Sequence, residues 1–92
     1  MNTELTDIAR RVVWYQDPQM TIQSPTVFLS HAFRYGSLTD WVEIEKYFSL
    51  SVILDVLNDP QVGIIDPVSW HFWHVYYGIL PVPPLPTRAV PH

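Results

Sequence analysis

The sequence predicts an all-α, single compact domain of about five short helices with a C-terminal polyproline arm. Three observations lead there. Leu5, Ile8, Ala9, Val12 and Val13 recur at the spacing of one helical stripe. Two later stretches each open on a capping residue followed by proline and close on Tyr-Gly. Between them, Ser-led apolar runs are cut by Asn58-Asp59-Pro60. The expected division is a helical domain over 1–80 and a proline-rich arm over 81–92.

The chain has 92 residues and no cysteine. One domain of this length buries only ~60–65% of its unfolded surface, so a few large side chains must supply the core. Four Trp, five Tyr and four Phe are available for that. With no thiol, disulfides and thiolate metal sites are excluded, and a reducing, cytoplasmic setting fits. The start, Met1 to Asp7, lacks the basic and apolar regions of a signal peptide. No run approaches the ~18 apolar residues of a membrane span, so no membrane partner is expected. A net charge of −4 argues against binding nucleic acid by phosphate neutralisation.

Taken in order, the first helix is expected over about 4–14. Thr3 is its N-cap, Glu4 and Asp7 sit at the positive pole, and Arg10 and Arg11 sit at the negative one. Asp17-Pro18 disfavours a continuous helix, so 15–23 reads as a connector that could hold one short turn. Ser24-Pro25 opens the next helix, apolar around most of its circumference and therefore central, and Gly36 closes it. Ser37 to Thr39 caps a helix with Leu38, Trp41, Val42, Ile44, Tyr47 and Phe48 on its apolar face. Ser49 or Ser51 restarts one with Val52, Ile53, Val56 and Leu57 inward. Residues 61–65 form a short apolar connector that could be extended.

The last helix lies between Asp66-Pro67 and Gly78. Asp66 is placed to accept a hydrogen bond from a free N–H, and Gly78 suits the left-handed residue past a helix end. Trp70, Phe72, Trp73, Tyr76 and Tyr77 are far too much apolar surface for one wetted helix, which points to the core of the fold. Trp70 and Trp73 are expected against Phe28, Phe33 and Trp41, and both Gly36 and Gly78 at positive φ. At an offset of 42, the helices after Ser24 and Asp66 share the pattern cap-Pro-x-x-aromatic ending in Tyr-Gly. Shared capping chemistry accounts for most of that match.

Constellations that could carry chemistry are few. His71 and His74 lie three apart on one helix and could share a ligand with Asp66 or His31. With no Cys or Glu placed nearby in sequence, the favoured reading is rim residues with an apolar body and a wet tip, and no metal or other cofactor is expected. The three glycines are isolated turn or cap residues rather than a phosphate loop. No nucleophile elbow is visible, so the chain reads as not an enzyme. The helix pair around Ser49 has the outline of a helix-turn-helix, which makes a small DNA-binding transcriptional regulator the alternative reading. Its second helix carries no Lys, Arg or Gln to read bases.

Four prolines occupy six positions from 81 to 86, so this stretch can be neither helix nor central strand. Pro83-Pro84-Leu85-Pro86-Thr87-Arg88 matches the loose PxxPx-Arg pattern of ligands for aromatic-lined grooves. An arm that packs Leu80, Val82 and Leu85 on its own domain is the other possibility. The expected partner-binding residues are Tyr76, Tyr77, Leu80, Val82, Pro83, Pro84, Leu85, Pro86 and Arg88.

Phe28-Leu29, Tyr35-Gly36, Asp40-Trp41, Tyr47-Phe48, Trp70-x-Phe72-Trp73 ending at Gly78, and the Pro-Pro-Leu-Pro tail together resemble a family of small bacterial proteins. The resemblance covers about 14–88, in order and spacing. Proteins of this kind are often encoded beside a nucleotidyltransferase-like toxin of the abortive-infection type. What the resemblance implies is an antitoxin-like partner that neutralises such a toxin by direct binding. It implies no catalytic residues.

Overall fold

The computed structural model describes residues 3–86. Among them are six helices and no strand: α1 (Thr3–Val12), α2 (Pro18–Ile22), α3 (Pro25–Tyr35), α4 (Leu38–Tyr47), α5 (Leu50–Asn58) and α6 (Pro67–Tyr76). The all-helical reading holds, with one helix more than expected. That helix, α2, begins at the Asp17-Pro18 pair read above as a break. Asp17 caps it, its Oδ1 accepting from the Gln19 N–H at 2.8 Å, and Pro18 takes the first helical position, where no N–H is needed.

The capping chemistry of the other helices is mixed. Ser37 and Asp40 form a reciprocal capping box at the start of α4: Ser37 Oγ accepts from the Asp40 N–H and Asp40 Oδ2 accepts from the Ser37 N–H. Ser49 Oγ accepts from the Val52 N–H to start α5. Ser24 and Asp66 occupy the N-cap positions of α3 and α6 but make no side-chain cap bond. The expectation for Asp66 is therefore corrected. Neighbouring Ser69 is the chief group holding its carboxyl below the ordinary carboxylate range.

Helix α3 occupies the centre. Six successive residues, Phe28 to Phe33, are buried, and α1, α2, α5 and α6 all pack on it. The α1 stripe predicted from spacing is wholly buried, as are Ile53, Val56 and Leu57 of α5. Helix α6 is not the centre. It buries Trp70, Trp73 and His74 and leaves Val68, Phe72, Val75 and Tyr76 open.

The aromatic core is organised around Trp73. Its ring lies 4.6 Å from Trp41 and 5.5 Å from Phe33 between centroids, and its Nε1 donates to the Phe33 carbonyl at 2.7 Å. Trp41 stacks on Phe33 at 4.6 Å and donates its own Nε1–H to the Ala32 carbonyl. Trp70 is buried but has other neighbours than expected. Its ring meets His74 at 4.1 Å, and its Nε1 donates to the Pro83 carbonyl at 2.7 Å. Phe28 pairs with Phe48 instead.

The two glycines that end helices act by different physics. Gly78 has φ +73°, the left-handed conformation expected after a helix. Gly36 has φ −76° and an extended ψ, which corrects the expectation of a left-handed residue there. It is small because a Cβ at that position would lie 2.7 Å from the Ala32 carbonyl oxygen. Gly78→Ala should cost about 1 kcal/mol, the ordinary penalty for a side chain at positive φ. Gly36→Ala should lower the thermal midpoint at least as much, by displacing the α3–α4 corner. Equal or higher midpoints for either variant would contradict these assignments.

Candidate protein-interaction surface

An open apolar surface is built by α6 and α4. Along α6, Val68, Phe72, Val75 and Tyr76 follow the i, i+4, i+7, i+8 spacing, so they share a face. This stripe is separate from the buried one at Trp70, Trp73 and His74. Phe72 and Tyr76 stack at 6.1 Å with 24° between planes. On α4, Leu38 and Val42, four residues apart, are each more than half exposed. The expected apolar face of α4 is thus divided. Trp41 and Ile44 are buried, Phe48 is half-buried, and Leu38, Val42 and Tyr47 face outward.

A groove of about 290 Å³ joins the two helices at the start of α6. Phe33, Gly36, Leu38, Val68, Phe72 and Trp73 give it apolar walls, and Arg34 and Ser69 add polar groups. Arg34 is held there by a bond from Nη1 to the Ile64 carbonyl at 3.3 Å, and its guanidinium lies 5.2 Å over the Tyr35 ring. At the far end of α6, the Tyr77 hydroxyl donates to Glu45 Oε2 at 3.2 Å. Burial, with Glu45 beside it, pushes the Tyr77 phenol well above its ordinary pKa, so it stays a donor.

The expected partner-binding residues fall into three groups. Tyr76, Leu80, Pro83 and Pro84 are exposed. Tyr77, Val82, Leu85 and Pro86 are half-buried; Tyr77 stacks on Trp73, and Val82 and Leu85 pack against the core. Arg88 lies outside the described residues. The sequence reading missed Val68, Phe72 and Val75 and the α4 pair Leu38 and Val42. A signal was present: α6 carries apolar residues over most of its circumference, and a domain this short has too little chain to cover all of it.

A second aromatic cluster lies at the other side of Arg34. Trp14, Tyr15 and Tyr35 are exposed, with Trp14 edge-on to Tyr35 at 6.1 Å. Tyr15 is anchored to buried His31. The His31 Nδ1–H donates to the Val27 carbonyl, which leaves Nε2 to accept from the Tyr15 hydroxyl at 2.8 Å.

Several of the other charged groups have structural roles. Arg11 grips Asp40 with two bonds of 3.1 and 2.7 Å, tying α1 to α4. That guanidinium holds the Asp40 carboxyl below its ordinary range. At the α1–α4 seam, Glu43 pairs with Lys46 at 3.0 Å, and its hydrogen bond with Glu4 raises the Glu4 carboxyl. His71 is exposed, whereas His74 is buried and donates through Nδ1 to the Trp70 carbonyl. Among the described residues, no group of three or more His, Cys, Asp or Glu is placed to hold a metal ion, and no helix is long and apolar enough to cross a membrane. Helix α5 of the α4–α5 pair shows Leu50, Ser51, Asp55 and Asn58 on its exposed positions. Compared with family models, with curated proteins and with solved structures, the chain matches none.

Proposed function

We propose that the protein is a non-catalytic interaction module that acts by binding another protein chain. The observation that carries this reading is the second apolar stripe of α6. A monomer seldom leaves a contiguous apolar patch of several hundred Å² in water, and such patches mark interaction sites. Here Phe72 and Tyr76 are large, rigid and half exposed, the residue type that dominates interface energetics.

The kind of partner follows from the family resemblance. In this proposal the protein is antitoxin-like and neutralises a nucleotidyltransferase-like toxin by direct contact. The exposed Leu80, Pro83 and Pro84, just past α6, supply its contact residues. Proline-rich backbone loses little entropy on docking, which favours such a segment as a binding element.

The test is purification of the tagged chain from its native host, as wild type and as Leu80→Glu. Leu80 is 68% exposed, so the variant should keep the wild-type melting temperature. The expected result is a stoichiometric second protein with the wild type and its loss, about tenfold or more in affinity, with the variant. A chain that is recovered alone, and that does not self-associate, would overturn the reading.

A further inference from the structure

We propose that the open face of α6 and α4 is a self-association surface: it pairs with the same face of a second copy, the two α6 helices antiparallel about a twofold axis. The proposal rests on the reading of the chain as an interaction module and names the occupant of that face. A twofold interface must be self-complementary, so each end of the patch must fit the opposite end.

The charges meet this requirement. The stripe Val68, Phe72, Val75 and Tyr76 is uncharged. Arg34 stands beside its start, lining the groove with Val68, and Glu45 stands beside its end, bonded to Tyr77. An antiparallel pairing sets each Arg34 against the other copy's Glu45, twice per dimer. A parallel pairing sets like charges together. Asp66 also lies at the Arg34 end, and Arg34 is among the groups that lower its carboxyl, but Asp66 is half-buried with its Oδ1 wholly buried, whereas Arg34 is exposed.

The shape meets it too. The groove lies at the start of α6, and Tyr76 stands out near its end, 48% exposed. Antiparallel pairing brings the Tyr76 ring of each copy over the groove of the other, between Leu38 and Phe72. Leu38, Val42, Val68, Phe72, Val75 and Tyr76 together expose on the order of 500 Å², more than half of the ~800 Å² per side of a standard interface. Leu80, Pro83 and Pro84 lie beyond the pairing helix and remain open to a different partner.

Sedimentation equilibrium of the full chain tests this, with circular dichroism to confirm folding. The wild type should be a dimer at micromolar concentration. Arg34→Glu and Glu45→Arg should each weaken it by at least about tenfold, since each puts two like-charge contacts in the dimer. An equimolar mixture of the two variants should recover a heterodimer, and the double variant should recover the homodimer. A wild type that stays monomeric at high micromolar concentration overturns the proposal, as does failure of the mixture to recover. Should either reversal fail to fold, Val68→Glu, at a 77% exposed position, must still give a folded monomer. A folded Val68→Glu dimer counts against the proposal. A monomeric wild type that captures a stoichiometric foreign protein overturns the dimer alone. A chain that binds neither itself nor another protein removes the underlying reading as well.

Discussion

Trp73→Ala is expected to give unfolded or insoluble protein. The ring is 97% buried in effect, with only 3% of the residue exposed, and it contacts Trp41, Phe33 and Tyr77. Removing a buried Trp typically costs ~3–5 kcal/mol through lost transfer energy and the cavity left behind. A small domain has about 5 kcal/mol in total, so this one change consumes most of it. Trp73→Phe separates two contributions. It keeps much of the ring and removes the donor to the Phe33 carbonyl, which should cost about 1 kcal/mol for the bond itself. Thermal and urea unfolding measure both. A soluble Trp73→Ala variant with an unchanged melting temperature would mean that α6 does not hold the core.

Asp40→Ala is expected to lower stability by about 2 kcal/mol, combining the loss of a cap with the loss of an ion pair. The Asp40 side chain is 8% exposed and takes two bonds from Arg11 and one from the Ser37 N–H. Arg11 is 58% exposed, so solvent screening limits its share. The same contacts predict a pH dependence. Arg11 is the main cause of the lowered Asp40 pKa, so the unfolded carboxyl, near 3.8, binds a proton before the folded one does. The stabilisation is therefore fully present above about pH 4 and is lost as pH falls through the lower, folded value. Melting temperatures of the wild type and Asp40→Asn from neutral pH to about pH 2 should converge in acid. Asp66 is also lowered, so the informative quantity is the difference between the two proteins. A constant gap across the range would assign the contribution of Asp40 to packing rather than charge.

The helices themselves were legible because their signals are local. Spacing placed the α1 stripe correctly, since a face is set by 3.6 residues per turn whatever packs against it. Ser37, Ser49 and the X-Pro pairs marked helix starts, because a cap needs only groups within three residues. At Asp17-Pro18 the break in the helix and the short turn were legible, but not that the pair itself opens α2: one dipeptide serves both to stop a helix and to start one. Which role it takes depends on whether the following turn finds something to pack on. Here α2 rests against α1 and α3, with Thr21 buried.

The candidate site was only half legible. Tyr76 and Leu80 were found exposed where the sequence suggested, but Val82 and Leu85 pack on the core. Phe72 and the α4 pair Leu38 and Val42 were assigned inward because apolar residues on a helix face are ordinarily core, and Val68 was given no role. The chain alone determined local facts well: where most of the helices begin, that Ser37 and Ser49 cap α4 and α5, and which stripe of α1 is apolar. Only the tertiary structure decided which apolar stripes are buried, because that is a competition for a limited interior. Helix α3 took the centre with six buried residues in a row, Gly36 had to be small to pass the Ala32 carbonyl, and Arg11 met Asp40 across 29 positions of sequence. Once that interior was filled, α6 had one face inside and one without cover, and periodicity within α6 carries no information about which neighbours the rest of the chain can supply.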